Sequence, residues 1–515
     1  MKKYFFAILN ISTSVYRSIF LFAVAFVCIT LFSTSSFLYP LNPWDDANVF
    51  MTIGKAMLSG ELLYRDIFDH KGPVLFFIHE LAAWISYKSF LGIYLIEILC
   101  YWGFLVYSHK IMRLFANSWI VMPLTCLIGV GVVTTDFFFY GDSVEEFSLP
   151  ILSYTLYHML SYLKTQTIPS KITLILVGVG MGFIFWMKFT VVVFHFAALI
   201  ALSVICYRKK NLQDLRQITL WIIAGFLFLS ILCILYFISK GTLVDLYNAY
   251  FYTNVFQYGG VASNGEPTAP WFFFVKLSIA AILVLPVAFT KVRRDVRLLV
   301  VMCYGLQMLS LTLMYVHIYY FLVLFVYAPL VVYFLRDVKE TYIIKSVLLL
   351  LGVLATATSY NFVTLVNGTF HRGIIPIAKY VNKHRTNDHD VLTFSSHETG
   401  IYLLSDVLPP NRFFFAPNAT KPEIKTEQAE CIRFQKPKFL VRKTDPVQSS
   451  ILRFYDMPIP KEYKLVIHEK ELFRYHFLIN PKMFLWNLGY THRLMKGMVD
   501  ENAKQQNLYL YERKH

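Results

Sequence analysis

Between Pro43 and Pro73 the chain reads PWDDANVFMTIGKAMLSGELLYRDIFDHKGP. Two adjacent carboxylates, Asp45 and Asp46, open this stretch. Asp66, Asp69, His70 and Lys71 close it, just before Gly72-Pro73. Paired carboxylates can deprotonate a hydroxyl or hold a divalent cation. A compact ammonium such as Lys71 can hold a phosphate. Asp69 and His70 are residue types that ligate metals, so a divalent metal is one expectation for this loop. Each group also has a plainer use. Adjacent aspartates cap helices, and helical periodicity from Ala47 to Leu58 lets one Asp cap that helix while the other points into a site. The Asp69–Lys71 cluster also suits a helix start, with Pro73 at the first helical position and backbone N–H groups that favour an anion.

Further ionisable groups stand where an oily chain has little need of them. The run TTDFFFYGDSVEE, residues 134–146, brings Asp142, Glu145 and Glu146 to the start of an apolar segment. There they suit the helix macrodipole. Lys188 sits in Trp186-Met187-Lys188-Phe189, placed to meet a phosphate or to snorkel. His317 opens a helix with Tyr319 and Tyr320 in YVHIYY, where an interfacial belt accounts for the tyrosines. Glu97 and His195 fall inside apolar runs and are functional candidates by position, but the sequence names no partner for either.

The elements that position these groups are membrane helices. The 515 residues are 57% hydrophobic and 16% charged, with a mean hydropathy of +0.52. Soluble domains rarely pass about half apolar. Continuous apolar runs, not alternating ones, predict about eleven spanning helices. They lie near residues 16–38, 89–108, 118–135, 145–163, 171–187, 189–207, 217–238, 271–290, 297–314, 316–335 and 343–365. The first has no convincing cleavage site and reads as a retained anchor. Val74–Tyr87 is too short to cross, carries His79 and Glu80, and reads as an interfacial helix. With that segment not crossing, Lys110/Arg113, Lys164/Lys171, Arg208-Lys209-Lys210, Lys291–Arg297 and Arg336/Lys339 all fall on one side. The positive-inside rule makes that side cytoplasmic, with the N-terminus inside and the C-terminus outside. The same distribution explains much of the net charge of +16 and argues against nucleic acid as partner.

The first external loop, residues 39–88, therefore carries the opening motif. Ser239–Pro270 forms another long external loop with the length of a substrate cover or a connector. Residues 1–369 form the membrane domain. From 370 to 515 the composition becomes that of a soluble, basic domain, which suits a solvated surface or an anionic polymer. Helices are expected at Ile374–His384, Glu398–Leu404 and Pro422–Phe434. Strands are expected at 391–394, Arg412–Phe415, 439–441, Tyr463–His468 and Leu508–Tyr511, in a small α/β domain with a largely parallel sheet. Six of the seven cysteines lie in apolar runs, no CxxC occurs, and neither a disulfide framework nor a zinc knuckle is supported.

In order, the chain presents an N-terminal span, an acidic pair in the first external loop, and G-x-x-x-Y-x-D as Gly60, Tyr64 and Asp66. K-x-P follows as Lys71 and Pro73, then a hinge Lys, then a His-aromatic helix start. Over about residues 16–365 this resembles the GT-C glycosyltransferases, specifically relatives of the protein O-mannosyltransferases and the lipid A aminoarabinose transferases. The resemblance implies transfer of a sugar from a polyprenyl-phosphate carrier to an anionic or hydroxyl-bearing acceptor outside the cytoplasmic membrane. It assigns Asp45, with Asp46, to the base and Lys71 to the carrier phosphate. Tyr64, Asp66, Lys188, His317, Asp142 and Glu145 become expected substrate contacts. His70 stands where aminoarabinose transferases place a metal-binding Glu, with H-K-G-P here in place of E-K-P-P, so metal dependence is open. The Arg that some relatives carry at the start of the second span is replaced by Phe90-Leu91-Gly92-Ile93. One base without a second carboxylate nucleophile implies inversion, by analogy with glycosidases. A transporter or flippase, or a non-catalytic wall-polymer assembly factor, are the competing classes; paired discontinuous helices and inverted repeats would favour transport, and neither is visible.

Overall fold

The computed structural model describes residues 13–258, 287, 291–312, 317–367, 373–417, 419, 421–434, 436–444, 454–472 and 505–514. Five of its helices are long and apolar enough to cross a membrane: Ser14–Phe32, Leu91–Phe115, Phe189–Arg208, Leu212–Ser239 and Ile318–Leu335. A sixth crossing follows if Tyr342–Thr358 and Tyr360–Val366, bent by 67°, count as one. The segments expected at 118–135 and 171–187 are shorter apolar helices, Val121–Thr134 and Lys171–Met187. Those expected at 145–163 and 297–314 are the helices Val144–Thr165 and Arg294–Thr312. The span expected at 271–290, apart from residue 287, lies outside the described residues, as do residues 259–270 of the long external loop.

Between the first two crossings the chain forms two shorter helices that pack on each other, Asp45–Leu58 and Pro73–Ile85. Pro73 starts the second of them and supplies its fixed φ where an N–H would be idle. At 13 residues this helix is about 20 Å long, well short of the roughly 30 Å hydrocarbon core. It buries Val74, Leu75, Phe76, His79, Ala82 and Ala83, and leaves Leu81, Trp84 and Ile85 exposed.

Ser143 begins Val144–Thr165 as a capping residue, its hydroxyl accepting from Glu146 N at 3.1 Å. Lys171–Met187 lies close along Leu212–Ser239 because Gly178 and Gly225 face backbone: a Cβ on either would sit 2.0 or 2.1 Å from a carbonyl of the other helix. Beyond Leu243–Leu246 the chain runs into an 11-residue π-helix, Tyr247–Gln257.

The C-terminal part has helices Ile374–His384, Ile401–Leu404 and Glu423–Phe434. Its strands are β1 (Val391–Thr393), β2 (Phe439–Thr444), β3 (Tyr463–Leu472) and β4 (Gln505–Arg513). Their order is β1-β2-β4-β3. Only β1 and β2 are parallel; β4 inserts antiparallel to both β2 and β3, so the largely parallel sheet expected from strand–helix alternation becomes mixed. The strand expected at Arg412–Phe415 does not form. Its backbone is used by other segments: Phe68 N donates to Arg412 O at 3.1 Å, and the Phe68 and Phe413 rings meet at 5.0 Å. This segment thereby docks the C-terminal part on the first loop. Lys55 adds a second tie, its buried ammonium 3.3 Å from Tyr402 O and 3.4 Å from Asp406.

Candidate active site

The first turn of Asp45–Leu58 is preceded by Trp44 in extended conformation, and no side chain caps it. The expectation that one aspartate caps this helix is therefore corrected: both carboxylates are engaged elsewhere. Asp45 accepts from Lys443 Nζ with both oxygens, at 2.8 and 3.0 Å. Asp46 Oδ2 lies 3.3 Å from Lys71 Nζ and accepts from the Tyr319 hydroxyl at 3.4 Å.

The loop that carries Lys71 turns at Gly60 and Tyr64, both with positive φ. Asp66 Oδ2 accepts from Leu62 N at 2.9 Å and lies beside Arg65 at the surface. It closes this turn and stays outside the cluster. Tyr64 is buried and donates to the Lys71 carbonyl at 2.7 Å, so it supports the loop from behind. Asp69 accepts from the backbone N–H groups of His70 and, at 3.1 Å, Lys71. Burial would raise its pKa, but Lys71 and His70 outweigh that and hold it at about 2. Burial likewise works against the Lys71 ammonium, yet Asp46 and Asp69 push its pKa above the ordinary lysine value.

Gly72 brings this loop to Lys188. Its N–H donates to Met187 O at 3.0 Å, and a Cβ there would lie 2.0 Å from Trp186 O. Lys188 follows directly, at the break between Lys171–Met187 and the next helix. Its Nζ lies 2.6 Å from Glu145 Oε1 and 3.0 Å from the Tyr320 ring centroid, a cation–π contact. Burial lowers the Lys188 pKa, Glu145 opposes this, and Lys71 adds to it. His317 stacks on Tyr319 with centroids 5.5 Å apart. Burial brings its pKa down to about 4 against the pull of Asp46, so the ring is neutral at pH 7. Tyr258 closes the group, with its hydroxyl 3.2 Å from that of Tyr320 and its ring 5.0 Å from His70.

The structure thus brings Asp46, Asp69, His70, Lys71, Glu145, Lys188 and His317 together, while Asp45, the chain neighbour of Asp46, faces Lys443. Asp142 goes elsewhere. It is fully buried, with positive φ; its N–H donates to Glu97 at 2.7 Å and Glu146 at 3.0 Å, and its carboxylate lies 3.0 Å from His79 Nε2. Burial raises its pKa and His79 opposes that. Glu97 also accepts from Ser33 Oγ at 2.9 Å. This second cluster supplies the partner for Glu97 that the sequence does not name. His195 sits near Thr155, at 3.2 Å, away from both clusters.

Sequence reasoning missed Lys443, His79 and Tyr258. Lys443 lies 398 positions from Asp45. Its one local signal is that it shares a strand face with the buried Phe439 and Val441, an unusual place for a lysine.

Among the described residues, no three His, Cys, Asp or Glu side chains are grouped to hold a metal ion. Asp69 and His70 offer two donors, and the Lys71 ammonium stands 3.9 Å from Asp69. That set does not suit a resident divalent ion.

No protein-family model matches the sequence, and no curated protein matches it by sequence. Among solved structures, the fold is similar to that of ArnT from Cupriavidus metallidurans. The form bound to undecaprenyl phosphate gives a TM-score of 0.53 at 10% identity, over 84% of this chain and 93% of that one. The apo form gives the same score and identity, over 84% and 92%. An oligosaccharyltransferase of Archaeoglobus fulgidus gives 0.41 at 12% identity, over 82% and 68%.

Proposed function

Starting from the GT-C membrane-glycosyltransferase fold, we propose that this multi-pass membrane protein is an inverting transferase. It moves a sugar from a polyprenyl-phosphate carrier to an acceptor outside the cytoplasmic membrane. The observation that carries the reading is the placement of two lysines on one run of aromatic rings: Lys71 lies by Asp46 and over Phe50, Lys188 by Glu145 and over Tyr320, and Trp44 joins the two ends by meeting both Phe50 and Tyr319. Two ammoniums in a low-dielectric setting suit a phosphate diester that must leave as an anion.

In this reading Asp45 takes the proton from the acceptor hydroxyl or amine. The freed electron pair forms the bond to the anomeric carbon, and the bond from that carbon to the phosphate oxygen breaks. The electron pair stays on the carrier phosphate, where Lys71 and Lys188 stabilise it, and neutral His317 can add a hydrogen bond but no charge. Asp46 holds Lys71 in place. A single displacement inverts the anomeric centre, and no step requires a metal. The basic loops support an orientation with the N-terminus in the cytoplasm and the C-terminal part outside. Its basic composition favours an anionic acceptor, such as a wall polymer.

The test uses membranes that overproduce the protein and one carrier-linked sugar at a time, with loss of donor and release of carrier phosphate measured. One donor should be consumed in an acceptor-dependent way, with an inverted linkage by NMR. A full panel left untouched would overturn the reading.

A further inference from the structure

Asp45 is the base in the proposed reaction, and its partner comes from the C-terminal domain. Lys443 is on β2, an inner strand with β1 on one side and β4 on the other. Its side chain is 7% exposed, and its Nζ meets both oxygens of Asp45. The strand is also fixed where Lys443 leaves it: Lys443 N donates to Ser396 Oγ at 2.8 Å, and Ser396 Oγ lies 3.3 Å from Lys443 O. The domain is tied to the same helix a second time through Lys55, and to the first loop through Arg412 and Phe413. A buried lysine on a rigid strand, gripping both oxygens of one carboxylate, fixes the rotation of that carboxylate more firmly than solvent would.

We infer that Lys443 is a positioning residue for Asp45, and that the small C-terminal domain thereby completes the active site. The inference rests on the function proposed above. Lys443 acts through Asp45, setting the rotation at which that carboxylate faces the incoming acceptor. The carrier phosphate is held by other residues, Lys71 and Lys188, so the two halves of the reaction separate experimentally.

The full-length protein in detergent is compared with Lys443→Met, Lys443→Arg, Asp45→Asn and the double variant Asp45→Asn/Lys443→Met. Lys443→Met should lower kcat by roughly 10- to 100-fold, the scale of a misplaced catalytic group, and leave KM for the carrier-linked donor unchanged. Lys443→Arg should recover most of the rate, and in the Asp45→Asn background Lys443→Met should cost nothing more. A wild-type kcat in Lys443→Met, or an equal loss in both backgrounds, would overturn the inference. Thermal unfolding of the wild type, Lys443→Met, Asp45→Asn and the double variant reads the pair without turnover. The two single changes should lower Tm non-additively, whereas strict additivity would overturn the pairing. If the wild type consumes no donor, the proposed reaction fails while the unfolding cycle still decides whether the domain is locked to Asp45.

Discussion

The chain contains two carboxylate clusters that adjoin at Glu145-Glu146 and are built in opposite ways. Glu97, Asp142 and Glu146 meet beside His79, with Ser33 and the Asp142 N–H as further donors and, among the described residues, no lysine or arginine bonded to them. Both His79 and Asp142 are 0% exposed. Asp45, Asp46 and Glu145 each face a lysine instead, and the Lys71 and Lys188 side chains are 17% and 20% exposed. Glu145 and Glu146 are neighbours in one helix turn, yet one joins each cluster. The comparison teaches that carboxylate count does not mark a site. Mobile countercharges within reach of a ligand mark one; a sealed set of acids met by serine, imidazole and backbone is a clasp that shapes a turn.

The largest separation between the clusters should come from chemistry. Asp45→Asn keeps the shape and removes the proposed base, and should lower turnover by about 10³-fold with expression intact. Lys71→Ala should cost a similar factor through the lost anion stabilisation. Initial rates of donor consumption in purified protein check both. Near-normal turnover in the two variants would erase the distinction between the clusters.

A steric change comes next. Gly72→Ala forces a Cβ against the Trp186 carbonyl, rigid backbone that cannot yield like a side chain. The Lys71 loop must then move away from Lys188, and we expect about a 100-fold loss in kcat/KM for the donor. Overpacking of this kind also costs about 1–3 kcal/mol of stability, readable as a lower Tm. If Gly72→Ala binds and turns over the donor normally, the two lysines do not act on one phosphate.

Most of the residues of the candidate site are legible in the sequence, because their positions depend on local signals. Asp45-Asp46, Lys71-Gly72-Pro73, Lys188 and His317 stand at helix boundaries that apolar periodicity locates. The rest depends on contacts between distant segments, which periodicity does not encode. Nothing near Glu97 announces Ser33, 64 positions earlier, or Asp142, 45 positions later. The sheet illustrates the same limit: alternation of strands and helices suggested parallel pairing, but β4 arrives after a long excursion and inserts antiparallel between β2 and β3. In the Arg412–Phe415 run, three successive phenylalanines read as strand, yet Phe413 docks against Phe68 of the first loop and Phe414 packs on Tyr402.

The clasp should respond in stability more than in chemistry. Glu97→Ala leaves the Ser33 hydroxyl short of an acceptor in a buried site, at about 1–3 kcal/mol for an unsatisfied group, and leaves the Asp142 N–H with Glu146 as its acceptor. Turnover per folded molecule should stay near wild type. Glu145→Gln, at the adjoining cluster, should do the reverse, holding Tm better while weakening donor binding through Lys188. The paired measurement is Tm and donor KM for both variants; the same pattern in both would mean that the clusters work as one.

The smallest expected effect concerns Glu398, a buried acid of the C-terminal domain near Asp45. Burial, chiefly, and the Asp45 charge push its pKa up to about 8, against hydrogen bonds from backbone N–H groups that include Gly400 N at 2.6 Å. The folded protein therefore binds this proton more tightly than the unfolded chain, whose glutamates titrate near 4.5. The resulting stability is fully present below that value and is lost as pH rises from about 4.5 to about 8. Glu398→Gln is neutral at every pH, so it should remove this slope and melt above wild type at the alkaline end. Parallel Tm–pH curves for the two proteins would show that Glu398 is ionised in the fold. In that case a negative charge would stand beside Asp45 and Lys443, and the base would belong to a cluster richer in acid than its lysine can balance.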